Sequence, residues 1–568
     1  MASTLRRIGI QLIKKSKPLF LTQSVMLSDN KTEPNILKSV YNDIPSINST
    51  VNDFIWQNLD RWPDKTAVVC AATGHGYTYA QTHRMSIAFA ASLRTKLKLK
   101  NDDIVAIILP NVPEYPCTVL GVLEAGCIAS MMNPAYTAHE FKRQLELIDC
   151  KAVITSKLSY PNVAEAIKTL KTKPPVILID NDGIPENTIK FAEFVEDMSI
   201  DTDCLKSVQR NKRDVAILPF SSGTTGFAKG VVLTHESVVA INQMIYDPDV
   251  LAVEEATAKS QPAIPAVLPF FHIFGFNAVM LNLMGRGSKL ITFTNFNPEL
   301  FLKTIVQQNV EHLYIVPPMV LFLGKHPAVT PEHLQSIKGI ICGAAPLSQS
   351  DALAVLNKNK DIIFRQGYGL TETNGGVTVG KKTDTNHSAV GHVFGSCEIK
   401  IADLQTQEAL GPGEEGEIWV RGPMLMQGYF KNDKATKEVI TEDGWYKTGD
   451  IGKYDENQYL YVTDRLKELI KVKGFQVPPA EIETILRTHP KIMDCAVVGI
   501  PDPVTGEAPK AFVVTQKGAT LLPGEVTQYV NDKVAAFKNI KEVQFVEEIP
   551  KNPAGKIMRK TLKEKYCK

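Results

Sequence analysis

The sequence predicts an α/β protein with a large N-terminal domain of layered α/β subdomains that includes a β-rich subdomain, and a small α+β C-terminal domain. Three observations carry this expectation. Short apolar runs alternate with helix-like segments from about residue 100 to residue 390, the texture of buried sheets covered by helices. Near Glu398 the pattern changes to short strands and Gly-rich turns, which continue through Tyr461. From about Leu466 a new strand–helix pattern begins and runs to the end, long enough for a separate small domain. At 568 residues and 44% apolar content the chain can build more than one large core.

Taken in order, the first 28 residues contain no acid, and Asp29 is the first. Arg6, Arg7, Lys14, Lys15 and Lys17 carry charge while Leu5, Ile8 and Leu12 recur at helical spacing, so residues 1–28 are expected to be a mitochondrial targeting segment, with a cytoplasmic chain as the alternative. The C-terminal Tyr566-Cys567-Lys568 is not a Ser-Lys-Leu peroxisomal address. The large domain is placed at 46–463 and the small one at 468–568. Strands are expected at Ile104–Leu109, Ala152–Thr155, Val176–Ile179 and Leu313–Val316 in the first, and at Ala496–Gly499 and Ala511–Val514 in the second. Residues 263–285 contain no charged side chain, but Pro265, Pro269, His272 and Gly275 interrupt them early. A strand at Ala266–Leu268, a turn carrying His272 and a helix from about Phe276 are expected, with no transmembrane helix and peripheral membrane contact left open. Gly411-Pro412-Gly413-Glu414-Glu415-Gly416 fits the dinucleotide fingerprint by letter only: two glutamates face the would-be phosphate and a strand follows, so a turn is expected.

A formal charge of +2 gives no footing for nucleic-acid binding. Nine scattered cysteines without a CxxC favour reduced packing thiols and no structural zinc.

The densest chemistry lies in Ser221-Ser222-Gly223-Thr224-Thr225-Gly226-Phe227-Ala228-Lys229-Gly230, between Val215–Phe220 and Val231–Leu233. Glycines let backbone N–H groups converge, hydroxyls add donors and Lys229 adds a point charge, a combination suited to phosphate. It is not a Walker A loop, because Gly230 and a strand follow Lys229 where Ser or Thr and a helix are needed. Glu372, after Thr371 in a Gly-rich loop, is a carboxylate suited to hold Mg²⁺ on ATP phosphates.

Further blocks complete the pattern: Gly343-Ala344-Ala345-Pro346-Leu347, Gln366-Gly367-Tyr368-Gly369-Leu370-Thr371-Glu372-Thr373, Gly444-Trp445-Tyr446-Lys447-Thr448-Gly449-Asp450, Asp464-Arg465-Leu466-Lys467-Glu468-Leu469-Ile470-Lys471, and Asn552-Pro553-Ala554-Gly555-Lys556-Ile557-Met558-Arg559-Lys560. With the Ser221–Gly230 loop they resemble, over roughly residues 50 to 565, the adenylate-forming superfamily of acyl-CoA synthetases, adenylation domains and beetle luciferases. The nearest branches are the 4-coumarate–CoA ligase-like and fatty acyl-CoA synthetases.

The resemblance implies ATP, Mg²⁺ and coenzyme A as cofactor set, a small carboxylic acid as partner, and a small domain that rotates after adenylation. Ser221, Ser222, Gly223, Thr224, Thr225, Gly226 and Lys229 would hold the phosphates, while Gly343, Ala344, Ala345, Gln366, Gly367, Tyr368 and Thr371 line the adenine slot. Asp450 would accept from the ribose hydroxyls with Arg465 in support, Gln476 would also face the nucleotide, and Glu372 would take the metal. Lys556 would reach the substrate carboxylate and the α-phosphate, with His272, Thr371 and Lys471 assisting. Lys467, within 464–467, would be the hinge, and Lys473 and Gly474 would border the CoA channel. Phe274, Phe276, Gly343 and Gly369 would form the acyl pocket with His272 gating it. Amino-acid-activating members place a Phe-Asp pair where this chain has Phe271-His272, which disfavours an amino acid. Two departures stand out: Phe227-Ala228 where a Pro-containing pair is common, and Trp419 in place of the cysteine of plant coumarate ligases.

The expected activity is therefore an AMP-forming acid–thiol ligase. The expected substrate is a medium- or long-chain fatty acid, with an arylpropenoic acid or a luciferase-like oxidation as alternatives and a catalytically silent mitochondrial scaffold as the non-enzymatic one.

Overall fold

In a computed structural model of the chain, the described residues are 34–197, 199–221, 228–466, 468–472, 475–534, 536–552 and 555–567. Residues 1–28, expected to be a targeting segment, the loop residues Ser222, Gly223, Thr224, Thr225 and Gly226, the expected hinge residue Lys467, and Lys473 and Gly474 lie outside them.

Among the described residues, four sheets build the large domain. The first is doubly wound: parallel strands Ile128–Met131, Ile104–Ile108, Ala152–Thr155, Val176–Leu178 and Ile189–Lys190 lie side by side in that order. Every residue of Ile104–Ile108 is buried, which explains its unbroken apolar run. Helices Tyr115–Glu124, Ala138–Ile148 and Tyr160–Lys168 make the crossovers between these strands. Ala138–Ile148 starts where it does because Thr137 and Glu140 form a capping box: Thr137 Oγ1 accepts from the Glu140 N–H at 3.4 Å and Glu140 Oε2 accepts from the Thr137 N–H at 2.8 Å. The antiparallel strands Val215–Ile217, Lys229–Thr234 and Phe220–Ser221 extend one edge of this sheet.

A second sheet orders Ala263–Ala266, Lys289–Thr292, Thr66–Cys70 and Gly76–Thr78. The strand expected at Ala266–Leu268 therefore sits three residues earlier. Asn111 accounts for its end: its Nδ2 donates to the Ala266 and Leu268 carbonyls, at 2.8 Å each, where a neighbouring strand would otherwise bond. The helix beyond begins at Gly275, with wide i→i+5 turns through Leu281. In the third sheet, His312–Ile315, Gly339–Cys342 and Ile363–Tyr368 run parallel, followed by the short antiparallel Thr378–Val379 and His392–Val393.

The β-rich part is one antiparallel sheet of Ile36–Lys38, Glu398–Ala402, Gly416–Arg421, Tyr446–Tyr454 and Leu460–Arg465. Ile36–Lys38 lies before residue 46, so the large domain starts earlier than expected; a three-residue edge strand leaves no periodicity to read. At the other end, Asp464 and Arg465 are not free linker but pair with Ile451 and Asp450. The Gly411–Gly416 motif is a turn, its Glu414 carboxylate accepting from the Gly411 N–H at 2.7 Å.

The small domain is a sheet of Phe475–Val477, Ile470–Val472, Gly506–Thr515 and Ile492–Asp502, with Glu542–Phe545 parallel to Gly506–Thr515. Both faces of its central hairpin are buried, by Pro479–Arg487 and Pro523–Asn531 on one side and Arg559–Tyr566 on the other. Among the described residues no helix is long and apolar enough to cross a membrane.

Candidate active site

A cavity of about 430 Å³ lies where the Gly339–Cys342 and Ile363–Tyr368 strands end, between them, the Tyr446–Tyr454 strand, and Asn552 and Lys556 of the small domain. Carboxyl ends of parallel strands are where α/β sheets leave a crevice. Gly343, Ala344, Gly367, Tyr368, Gly369, Leu370, Thr371 and Glu372 form one wall. Ala344 holds φ +75°, a left-handed conformation that costs a non-glycine residue about 1 kcal/mol or more and turns the chain across the cavity floor. Gly369 is required for a different reason: a Cβ there would stand 2.3 Å from the Gly375 carbonyl oxygen. Gly369→Ala is expected to displace the Glu372 loop, lowering stability by about 1–3 kcal/mol in denaturant unfolding and impairing activity.

Two carboxylates set the electrostatics. Asp450 is buried; its Oδ2 accepts from the Tyr368 hydroxyl at 2.7 Å and its Oδ1 pairs with Arg465 Nε at 3.0 Å. Burial, then the Asp450 charge, raises the Tyr368 hydroxyl well above its ordinary range and keeps it a donor. Asp450 and Arg465 are adjacent because their strands pair in register at that point. Glu372 is also buried, in a single 3₁₀ turn Thr371–Thr373, and its Oε1 accepts from the Tyr429 hydroxyl at 2.9 Å.

Of the loop expected to hold phosphate, Ser221, Ala228 and Lys229 are described. Ser221 and Lys229 are directly paired across antiparallel strands, and both line the cavity. Lys229 Nζ lies 4.5 Å from the centroid of the Tyr429 ring. Lys556 enters from the small domain and borders the same space as Asp450 and Arg465. Its loop is held by Asn552, whose Oδ1 accepts from the Lys556 N–H at 2.9 Å. Gly555, at φ +78°, is packed so closely on Pro318 of the large domain that a Cβ would lie 3.0 Å from Pro318 Cδ. Burial, then the Arg465 charge, pulls the Lys556 amine down to about 8.

His272 and Phe274 border the cavity, as do Ile273, Asn277 and Ala278. Burial pulls the His272 ring down to about 4, so it is neutral at physiological pH. Its Nδ1 accepts from the Phe274 N–H at 3.3 Å, which leaves the proton on Nε2. Apolar side chains also line the cavity: Ile241, Ile245, Val250, Ile341, Val379 and Phe394.

Several expected residues fall elsewhere. Phe276 is not a pocket residue: it is fully buried in the main core, on the far side of the helix whose Asn277 and Ala278 face the cavity. Ala345 and Gln366 border a smaller adjoining cavity of about 170 Å³, and Gln366 Nε2 is engaged by the His387 carbonyl at 2.6 Å. Lys471 is exposed on the small domain, on a strand where its backbone pairs with that of Gln476, and it does not border the main cavity. Tyr429, Tyr314 and Asn552 border the cavity without having been singled out in the sequence. Tyr429 sits on a two-residue strand, Gly428–Tyr429, too short to signal itself.

The family model "AMP-binding enzyme" matches residues 55–430, and "AMP-binding enzyme C-terminal domain" matches residues 481–556. The chain is 36% identical to 4-coumarate–CoA ligase 1 of Arabidopsis thaliana over 95% of its own length and 97% of the relative's. It is also 36% identical to 4-coumarate–CoA ligase 1 of Petroselinum crispum, over 91% and 94% respectively. An ATP-bound crystal structure of MatB from Rhodopseudomonas palustris superposes with TM-score 0.81 at 26% identity, covering 91% of this chain and 99% of that one. The two family matches, the full-length relatives and a cavity that brings together Lys229, the buried carboxylates of Glu372 and Asp450, and a small-domain lysine agree: the chain belongs to the adenylate-forming AMP-binding enzymes, on the branch of the AMP-forming acid–thiol ligases.

Proposed function

We propose that this enzyme activates an apolar monocarboxylic acid with ATP and passes the acyl group to coenzyme A, a medium- or long-chain fatty acid being the preferred substrate. In the first step a carboxylate oxygen attacks the ATP α-phosphorus, the α–β bridging P–O bond breaks, and pyrophosphate leaves. Lys556 and Lys229 offset the charge of two anions brought together, which is the main obstacle to that step. Tyr368 and the Gly343–Ala344 backbone provide a slot for adenine, and Asp450, held by Arg465, offers an acceptor to the ribose hydroxyls. The residues present fit Mg²⁺, since Glu372 gives one buried carboxylate and hydrogen bonds among the described residues reach only its Oε1. Bound there, the ion would supply neutralisation of phosphate charge. In the second step the small domain turns about Lys467, the CoA thiolate attacks the acyl carbonyl, and AMP leaves.

The substrate reading rests on one observation: the cavity that His272 borders also carries Ile241, Ile245, Val250, Ile341, Val379 and Phe394 in its wall. A second reading, an arylpropenoic acid, is favoured by the 4-coumarate–CoA ligase relatives. ATP–pyrophosphate exchange across a panel of acids, repeated as thioester formation with CoA, separates them. Higher kcat/KM for C8–C16 acids supports the fatty-acid reading; higher kcat/KM for cinnamate-type acids replaces it with the second, and exchange with none of them rejects both. The acid-free basic start supports a mitochondrial setting, which a reporter fused behind residues 1–28 would contradict by remaining cytoplasmic.

A further inference from the structure

We propose that Tyr429 is a positioning residue that fixes Glu372 and Lys229 relative to each other, so that metal and triphosphate are gripped as one unit. The inference rests on the reading above that these two residues serve Mg²⁺ and the phosphates.

Three contacts meet on this one side chain. Its hydroxyl donates to Glu372 Oε1 at 2.9 Å, so one oxygen of the carboxylate is occupied and the group is turned to present the other. Its ring carries the Lys229 ammonium 4.5 Å from the centroid. The Tyr446 hydroxyl lies close enough to that of Tyr429 to interact with it. The backbone repeats the connection. Gly428–Tyr429 pairs with the strand that leaves the phosphate loop, Tyr429 opposite Val231 and Gly428 opposite Val232. Two residues earlier, the Met426 N–H donates to the Glu372 carbonyl at 2.9 Å, and one residue later the Phe430 N–H donates to the Gly230 carbonyl at 2.8 Å. A short segment from the β-rich part of the chain thus clips together a strand of the first sheet and the Glu372 loop of the third.

The geometry separates two contributions. The hydroxyl acts on the carboxylate, and a carboxylate free to rotate is a poorer ligand for an ion that demands near-octahedral geometry. The ring acts on the lysine through its negative face. Tyr429→Phe removes the first and keeps the second, whereas Tyr429→Leu removes both.

The test is calorimetric titration of ATP into the full-length enzyme at a series of Mg²⁺ concentrations, without acid, so that binding is read independently of turnover. Glu372→Gln serves as the reference. The expected result is a half-saturating Mg²⁺ concentration raised about tenfold in Tyr429→Phe, the size of a lost charge-assisted hydrogen bond. Melting temperature and the KM for the acid should stay near wild type. Tyr429→Leu should also weaken ATP binding at saturating Mg²⁺, and Tyr446→Phe should shift the Mg²⁺ requirement in the same direction by less. If Glu372→Gln raises the requirement but Tyr429→Phe and Tyr446→Phe both match wild type, the positioning role is wrong. If Glu372→Gln itself changes nothing, the metal assignment falls and takes this inference with it. Should Tyr429→Phe unfold, the Tyr446→Phe titration decides the question alone.

Discussion

Lys556→Ala will lower ATP–pyrophosphate exchange by about 10²–10³-fold, the usual cost of removing a charge that stabilises the transition state. Thioester formation from a supplied acyl adenylate plus CoA will be changed far less. The reason is geometric: Lys556 borders the cavity with Asp450 and Arg465, and its loop is held there by Asn552 and by the contact of Gly555 with Pro318. The same lysine sets a pH limit. Its amine is drawn from the ordinary 10.5 to about 8 by burial and by Arg465. Below about 8 it is charged and useful; as pH rises through 8 the charge is lost, so kcat/KM for exchange should fall on the alkaline side in wild type. The stability sign runs the other way. A lysine whose folded pKa is depressed costs the folded state increasingly as pH falls from 10.5 towards 8, so removing it should leave thermal stability at pH 7 unchanged or slightly raised. An inactive variant that also melted early would point to a structural role instead.

Asp450→Ala should weaken ATP binding about 10–100-fold, because it removes a charged acceptor worth about 1.5–3 kcal/mol. It also leaves the Tyr368 hydroxyl and the Arg465 guanidinium without the carboxylate that holds them at 2.7 and 3.0 Å. Stability should therefore drop by about 2 kcal/mol, and Asp450→Asn should recover part of the stability but little of the affinity, since the amide restores size without charge. Calorimetric ATP binding and denaturant unfolding of the two variants check this. Equal ATP affinity in wild type and Asp450→Ala would remove Asp450 from the nucleotide site.

The fold was legible where burial writes an unbroken apolar run. Ile104–Ile108 and Ala152–Ile154 lie at the centre of a doubly wound sheet, where every side chain meets a helix or a neighbour and is apolar, while the hydroxyl of Thr155 at the strand end donates to the Ile108 carbonyl. It was illegible where side chains set the boundary: the Asn111 amide ends the strand at Ala266, and Asn111 is 155 positions away in sequence from that carbonyl. Ile36–Lys38 was missed because it contributes one short edge to a sheet whose other strands begin at Glu398. For the site, the residues with distinctive local chemistry, Glu372, Asp450, Lys229 and Lys556, are brought to one cavity. Phe276 was misplaced because apolar neighbours such as Phe274 and Phe276 look alike in sequence, while a helical turn sends one to the cavity and the other to the core. Tyr429 was missed because its importance lies in what crosses over it, contacts to positions 57 residues and more away.

The most direct measurement is a crystal structure of the enzyme with a non-hydrolysable acyl-sulfamoyl adenosine. The account predicts adenine beside Tyr368 and Ala344, ribose hydroxyls on Asp450, the sulfamoyl group within reach of Lys556, and the acyl chain running past His272 towards Ile241 and Phe394. An inhibitor bound outside this cavity, or bound within it with Lys556 turned away while exchange remains Lys556-dependent, would contradict it.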